Sequence, residues 1–376
     1  MVGYIDMAGN PEVHPEKKKE KEKEKEKDMI KIKIQEFIKE NCDKKSEGLN
    51  HYLCEFDKTH NTSKNANAYL LNSEFFKDAK ILGEGFFGAV YESGLWTIDS
   101  DSDTVQDIIV KTQKLDIDVN RPEPLFEAYI NFVLINTIIM ENPAIGLVPT
   151  FGLFYCGRKG DMFCANKDGT KIDENTDIFI VQEKKDAKSL IDVKKFTEEM
   201  MIQLFEILVK LEEKGIYHSD IHPGNILVDN KTGKIYLIDF GLASFMIEVD
   251  GVRKHQRIRN TKYFYNKNDC TAFDDFFAIC AILSDFNYEL FEIIYPLLVD
   301  IIKKFNNPEI KNISKIEGPF NNYLETTEHL HEFNIFKNSQ ESDRQNNLKI
   351  YNKYTMAEIY KLVKDLIKKR AGASKP

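Results

Sequence analysis

Asp220 and Asn225 stand five residues apart (225 − 220) in the run His218-Ser219-Asp220-Ile221-His222-Pro223-Gly224-Asn225. On one loop, a carboxylate and an amide at that spacing can serve a nucleophile and a metal together. Asp220 would accept or orient a hydroxyl proton, and Asn225 would offer Mg²⁺ its amide oxygen. A turn rich in Asp, Pro, Gly and Asn has the same composition. Nineteen residues on (239 − 220), Asp239 comes after the apolar Ile238 and opens Asp239-Phe240-Gly241. A second carboxylate at the end of a strand can hold magnesium against phosphate oxygens, or can simply end a strand in a turn. The spacing is what a strand–turn–strand between the two groups needs.

Two further sets lie upstream. Gly83-Glu84-Gly85-Phe86-Phe87-Gly88-Ala89-Val90 has glycines where backbone N–H groups can approach phosphate without obstruction by a Cβ. A plain glycine hairpin has the same look. No Gly-Lys-Ser/Thr comes after it, so this is not a Walker loop, and the strand expected next is not the helix that a dinucleotide fingerprint requires. Lys111 closes Ile108-Ile109-Val110, and Glu127 stands sixteen residues later (127 − 111). A lysine at a strand end beside a helix carboxylate can be held rigidly against phosphates, although a surface lysine and a surface glutamate would read the same.

These residues need elements to position them. Ala79 to Leu82 and Ala89 to Tyr91 predict two strands around the glycine cluster, and Ile108 to Val110 predicts a third. A helix is expected over Glu123 to Met140, with Pro122 and Pro124 at its start. Strands are expected at Leu147-Val148-Pro149 and Ile178 to Val181, with a hairpin turn at Asp168-Gly169 between them. After Lys185 the pattern is helical. Thr197 is an N-cap ahead of Glu198 and Glu199, and Met200, Met201, Leu204, Leu208 and Leu211 form a buried stripe ending near Gly215. Short strands at Ile226 to Val228 and Ile235 to Ile238 come next. Helices are then predicted around Asp275 to Leu283, Tyr288 to Phe305 and Met356 to Lys369, the last opened by the capping box Thr355-Met356-Ala357-Glu358. A strand-rich part ahead of a helix-rich part predicts an α+β protein with a cleft between two lobes.

In this order the glycine loop, the strand lysine, the helix glutamate, H-x-D-x-x-x-x-N and D-F-G resemble the eukaryotic-type protein kinase superfamily, over roughly residues 75 to 305. Asp274-Asp275-Phe276-Phe277-Ala278-Ile279-Cys280 looks like the family's buried helix that opens with an aspartate, in the place of Asp275. With Asn260-Thr261-Lys262-Tyr263 upstream, the chain is similar to casein-kinase-like enzymes and to the divergent kinases of large DNA viruses. The resemblance implies a bilobal fold with ATP and Mg²⁺ in the cleft. Leu82 and Val90 would cover the adenine, and Gly83, Gly85 and Gly88 would lie over the phosphates. Lys111, paired with Glu127, would grip the α- and β-phosphates. Asp220 would be the catalytic base, and Asn225 and Asp239 the metal ligands. Gln182 would sit at the back of the pocket, and Glu183 to Lys185 would form the hinge. Thr261, near Asp220, would favour a Ser/Thr acceptor on a protein substrate.

There are departures from the family pattern. Ser219 replaces the usual arginine, which implies activity without a phosphorylated activation segment. His222 replaces a lysine used near the γ-phosphate, and His222-Pro223-Gly224-Asn225 looks more like small-molecule kinases. Ile109 stands where a small alanine lines the adenine pocket, and no A-P-E comes after D-F-G. A Ser/Thr protein kinase is the leading expectation. A small-molecule kinase on the same scaffold and a catalytically inactive scaffold are the alternatives.

Composition bounds the rest. The chain has 376 residues, 42% hydrophobic and 30% charged, with a formal charge of −9. That is ample material for a core and argues against a polycation coating nucleic acid, so no direct nucleic-acid partner is expected. The six cysteines form no C-x-x-C pair, which argues against zinc and against a disulfide scaffold. Asp99-x-Asp101-x-Asp103 starts like a calcium loop but has Thr104 and Val110 where glycine and glutamate belong. No signal-peptide stretch or bilayer-length apolar run stands out, so a soluble, cytoplasmic chain is expected, in the host cell or virion if the source is viral. Residues 1–70 read as a charged tail with a possible helix and a linker, 71–185 as the N-lobe and 186–376 as the C-lobe. Glu16 to Asp28 holds seven lysines against six acids and reads as a solvated tail. Ile30, Ile34, Phe37 and Ile38 then keep helical spacing, as in an amphipathic helix docking on the main body. Arg253 to Arg259 is basic and reads as a solvated loop, with attraction of acidic substrates as the other reading. Sequence leaves the oligomeric state open.

Overall fold

The computed structural model describes helical positions within 25–40 and residues 80–85, 88–97, 105–114, 123–155, 176–249, 252–257, 272–303 and 354–373. The expected turn at Asp168-Gly169, Phe86, Phe87, Thr261 and most of the charged tail lie outside these residues. The chain divides into two compact units. One comprises Met1–Val133, Phe151–Gln182 and Ile247–Lys254, and the other Leu134–Thr150, Glu183–Met246 and His255–Pro376. The described strands and helices make an α+β fold.

The first unit is built on a five-stranded sheet in the order β1-β2-β3-β5-β4. Its strands are β1 (Lys80–Gly85), β2 (Gly88–Thr97), β3 (Val105–Lys114), β4 (Thr150–Tyr155) and β5 (Thr176–Glu183). β1 and β2 are antiparallel and close at Gly85↔Gly88, so the glycine cluster is a hairpin with only Phe86 and Phe87 between its strands. Along β3, Ile108 and Val110 are buried while Ile109 and Lys111 are only partly so. That is the period-2 alternation of a strand with one face packed. Thr112 ties β3 to β2: its hydroxyl accepts the N–H of Ala89 at 3.1 Å and donates to the Ala89 carbonyl at 3.1 Å.

The helix expected over Glu123 to Met140 is present but not uniform. It runs as α1 (Glu123–Tyr129), a π-helical stretch Ile130–Ile135 and α2 (Asn136–Glu141). A π turn carries an extra residue, so the side chains of α2 are rotated about the axis relative to those of α1. Residues 29–40 are helical wherever described, with Ile30 and Phe37 buried. The Phe37 ring meets Phe132 of the π stretch edge-on, with centroids 5.7 Å apart. This N-terminal segment therefore packs on the same helical run that carries Glu127.

Leu147-Val148-Pro149 differs from the expected strand. Leu147 makes one isolated parallel bridge to Leu237, and the strand begins only at Thr150. Pro149 has no N–H to give a ladder, and its carbonyl instead accepts from Glu183 N at 3.1 Å. Gly146 permits the approach: a Cβ there would collide with the Ile235 carbonyl oxygen.

In the second unit α3 (Leu190–Val193) and α4 (Glu198–Glu213) come after the short β6 (Lys188–Ser189). Thr197 caps α4 as expected, accepting from Met200 N at 3.2 Å. Gly215, at φ 72°, ends the helix in the left-handed region, where a Cβ would also strike Met246. β7 (Ile216–Tyr217), β8 (Ile226–Val228) and β9 (Ile235–Leu237) frame the loop that holds Asp220. β10 (Ser244–Val249) pairs with β7, and β11 (Val252–Arg257) pairs with β10. The basic segment read as a loop is thus largely strand. Its alternation of Val, Lys and Gln gave no clear period-2 apolar pattern.

Helices α5 (Ala272–Phe286), α6 (Tyr288–Lys303) and α7 (Met356–Ala373) are the unit's remaining described elements. Phe196, Phe205, Phe276 and Phe291 are fully buried among them. α7 docks on α4 through Tyr360, whose ring stacks on Phe205 at 5.4 Å. The capping box forms: Thr355 Oγ1 accepts from Glu358 N at 3.2 Å, and Glu358 accepts from Thr355 N at 2.8 Å. A second acceptor comes from α4, where Glu212 takes the N–H of Met356 at 2.6 Å.

This packing makes two predictions. Phe37→Ala should cost about 3 kcal/mol of stability in the first unit, as truncating a buried ring usually does. Hydrogen exchange should then rise along residues 123–141 and stay unchanged along Glu198–Glu213. Burial raises the Glu212 carboxyl above its ordinary range, against the opposing hydrogen bonds from Met356 and Tyr217. A raised acid binds more protons folded than unfolded, so its contribution to stability falls as pH rises through the interval between the two values. Glu212→Gln keeps an acceptor for Met356 and should be neutral or slightly stabilising at pH 7. Glu212→Ala strands that N–H and should cost about 1–3 kcal/mol in thermal denaturation.

Candidate functional site

In the first unit the structure brings Lys111 and Glu127 together. Lys111 Nζ lies 2.6 Å from Glu127 Oε1, with the glutamate side chain fully buried and the lysine 20% exposed. Their separation in sequence is bridged because β3 delivers Lys111 at its partly open face while α1 buries Glu127. A buried carboxylate with one cationic partner fixes that cation in place, since separating the pair would leave an uncompensated charge. A link that the sequence did not show supports the helix. Asn131 Nδ2 donates to the Glu127 carbonyl at 3.0 Å, and Gln182 Nε2 donates to Asn131 Oδ1 at 3.3 Å. Gln182, expected at the back of a nucleotide pocket, is thereby joined to the turn that holds Glu127.

The glycine loop shows its strands and its open side. Leu82 is about half exposed and Val90 is partly buried. A Cβ on Gly83 would meet nothing within 4 Å, so space rather than collision surrounds that position. Gly85 and Gly88 sit at the two hairpin ends. Ile109 shares the partly exposed face of β3 with Lys111, as expected for the residue two positions before it.

In the second unit the loop from His218 to Asn225 is held from below. Asp275, 3% exposed, accepts the N–H of His218 at 3.2 Å and of Ser219 at 3.0 Å. Ser219 adopts φ 63°, a left-handed conformation that a non-glycine residue rarely takes. The His218 ring is buried against Phe240, with centroids 4.8 Å apart, and its Nε2 pairs with the Ile238 carbonyl at 3.0 Å. His218 is thus a brace between the two loops and not a base.

Asp220 and Asn225 meet. Asn225 Nδ2 donates to the Asp220 carbonyl at 2.9 Å and to its Oδ2 at 3.3 Å. With the nitrogen committed there, the amide oxygen is the atom left to face a cation. Asn225 also accepts Ile238 N at its main-chain carbonyl, at 2.9 Å, which sets the start of Asp239-Phe240-Gly241 beside it. Asp239 is left-handed at φ 63° and accepts Gly241 N through Oδ1 at 3.1 Å. Among the described residues no cluster of three or more His, Cys, Asp or Glu could hold a metal by protein ligands alone. One carboxylate and one amide oxygen fit Mg²⁺, which keeps waters and takes phosphate oxygens for its other positions. Glu183 pairs with Lys185 at 2.6 Å in the stretch expected as the hinge. No described helix is long and apolar enough to cross a membrane.

Residues 170–284 match the model of the protein kinase domain, a span that contains this loop, Asp239 and Asp275. The chain is 48% identical over 44 residues to serine/threonine-protein kinase csk1 of Schizosaccharomyces pombe, covering 12% of this chain and 14% of that protein. It is 49% identical over 45 residues to protein kinase gsk31 of the same yeast, and 46% identical over 46 residues to glycogen synthase kinase 1 of Pyricularia oryzae. Each of those two matches covers 12% of either chain. The matched segments thus span about one-eighth of the relatives' length. The domain match over residues 170–284 and the short matches to these kinases support the eukaryotic-type protein kinase superfamily for this chain.

Proposed function

We propose that the chain is an ATP- and Mg²⁺-dependent kinase that phosphorylates serine or threonine hydroxyls of protein substrates. The observation that carries this reading is the Lys111–Glu127 pair at 2.6 Å with its carboxylate fully buried. A buried ion pair is seldom the most stable way to fill such a site, so its presence supports a role for the lysine that it fixes. Lys111 holds the α- and β-phosphates, and Leu82 and Val90 flank the adenine. Gly83, Gly85 and Gly88 let main-chain N–H groups reach the phosphates. Asn225 and Asp239 hold magnesium, which when bound neutralises charge on the phosphate oxygens. Glu183, in the hinge, offers main-chain groups to the adenine edge.

Asp220 orients the acceptor hydroxyl. That oxygen bonds to the γ-phosphorus as the bond from phosphorus to the β–γ bridging oxygen breaks. ADP leaves with that electron pair, and the hydroxyl proton passes to Asp220. The rate comes from position and charge neutralisation more than from covalent chemistry. Ser219 supports activity without a phosphorylated partner segment, because the loop it belongs to is already held by Asp275. One feature favours a second reading. The His222-Pro223-Gly224-Asn225 turn, capped by its own histidine, fits a small-molecule kinase on the same scaffold.

Labelled-phosphate transfer to a mixed protein pool tests the proposal. The wild-type chain should label proteins, and Asp239→Ala should lower incorporation by about a thousandfold. Turnover on a metabolite panel with silence on proteins would favour the second reading. Labelling above background, of proteins or of metabolites, that is equal for wild type and Asp239→Ala would overturn both. Lys111→Met should abolish transfer and also lower the melting temperature, since Glu127 is left buried without its partner, a loss of about 3–5 kcal/mol. The double variant Lys111→Met/Glu127→Met should recover much of the stability and none of the activity.

A further inference from the structure

The imidazole of His222 is held by two constraints that the reaction above leaves unused. Its Nδ1 accepts the N–H of Gly224 at 3.0 Å, capping the 3₁₀ turn Pro223–Asn225. An accepting Nδ1 puts the proton of the neutral ring on Nε2. Nε2 lies 3.8 Å from Asp220 Oδ2, the carboxylate oxygen that also takes the Asn225 amide at 3.3 Å. Gly224 completes the arrangement. A Cβ there would stand 2.8 Å from His222 Cε1 and 3.0 Å from Nδ1, so any larger residue drives the ring out of place. The turn itself is tied down, with Ser189 Oγ donating to the Pro223 carbonyl at 3.1 Å.

A cap alone does not ask for histidine. Serine, aspartate or asparagine would supply the acceptor. What the imidazole adds is a second, donating edge, and that edge faces Asp220. Resting on the kinase reading, we propose that His222 is a positioning residue for Asp220. Its Nε2–H, aimed by the Gly224 cap, holds the carboxylate in the rotamer that meets the acceptor hydroxyl. The 3.8 Å gap exceeds a hydrogen bond. A contraction of roughly 1 Å closes it, and catalytic hydrogen bonds commonly tighten in this way when substrate is present. The side chain is 50% exposed, so replacing it leaves the core intact.

The test uses the full chain and separates the two edges of the ring. His222→Asn keeps an acceptor near Nδ1 and loses the donor. It should lower kcat by about ten- to a hundredfold, the worth of one hydrogen bond to a charged group, with KM for ATP within about twofold and an unchanged melting temperature. His222→Gln restores an N–H near Nε2 and should recover part of kcat. Gly224→Ala keeps the histidine but displaces it, and should fall with His222→Asn. Long-range ¹H–¹⁵N spectra of the imidazole give a readout independent of turnover: Asp220→Asn should shift the His222 Nε2 resonance, and the distant Thr232→Ala should not. Wild-type kcat in His222→Asn, with the parent active, would overturn the positioning role while leaving the kinase reading intact. If the parent transfers no phosphate, the kinase reading fails instead. An Nε2 resonance unmoved by Asp220→Asn then overturns the positioning role by itself.

Discussion

The loop that bears Asp220 depends on a carboxylate placed beneath it, Asp275. Two successive N–H groups, from His218 and Ser219, point down to that one side chain. They can do so only because Ser219 is left-handed, at a cost of about 1–2 kcal/mol for a residue with a Cβ. Each hydrogen bond to a buried charge returns about 1.5–3 kcal/mol, so the pair outweighs the strain. The balance also explains the burial: in water the same bonds would be too weak to hold the backbone there. His218 carries the constraint further. Its ring touches Phe240 and its Nε2 reaches the Ile238 carbonyl, so the approach to Asp239 is registered to the same anchor.

The first unit solves a matching problem by other means. Lys111 has to be rigid although its side chain is long and flexible. The fully buried Glu127 removes that freedom, and the helix beneath Glu127 is fixed in turn through Asn131, Gln182 and the Phe37–Phe132 contact. Neither Lys111 nor the loop that bears Asp220 is left to position itself. Each uses a buried acid as the fixed point and a chain of polar or aromatic contacts to carry that point outward.

Much of this was legible in the sequence because it is local. Thr197 and Thr355 announce their helices by side-chain oxygens a few residues from the N–H groups they accept, and both caps form. The glycine hairpin comes from spacing alone, and the apolar run Ile108 to Val110 marks β3 without showing which of its faces is packed. What escaped depends on partners distant in the chain. The π stretch after Tyr129 has no compositional mark, since Ile130 to Ile135 would serve a regular helix equally well. Pro149 ended the Leu147-Val148 run as a strand because the missing N–H mattered more than its apolar neighbours. Gly146 and Gly224 have the local look of ordinary turn residues, and only the Ile235 carbonyl and the His222 ring against them require the absence of a Cβ. The Asn131–Gln182 bridge joins positions 51 apart, beyond any local pattern.

The docking of α7 on α4 bears on how the chain is made. Glu212 and Met356 are 144 residues apart, and Glu206 and Tyr360 are 154 apart. On a ribosome adding about 5–20 residues per second, α4 emerges several seconds before the helix that covers Phe205. Throughout that interval the face of Phe205 that stacks on Tyr360 lacks its native partner, while Phe276 can reach the same ring earlier. Chaperone capture during translation should therefore concentrate between the appearance of α4 and that of α7, and should end abruptly once Tyr360 clears the exit tunnel.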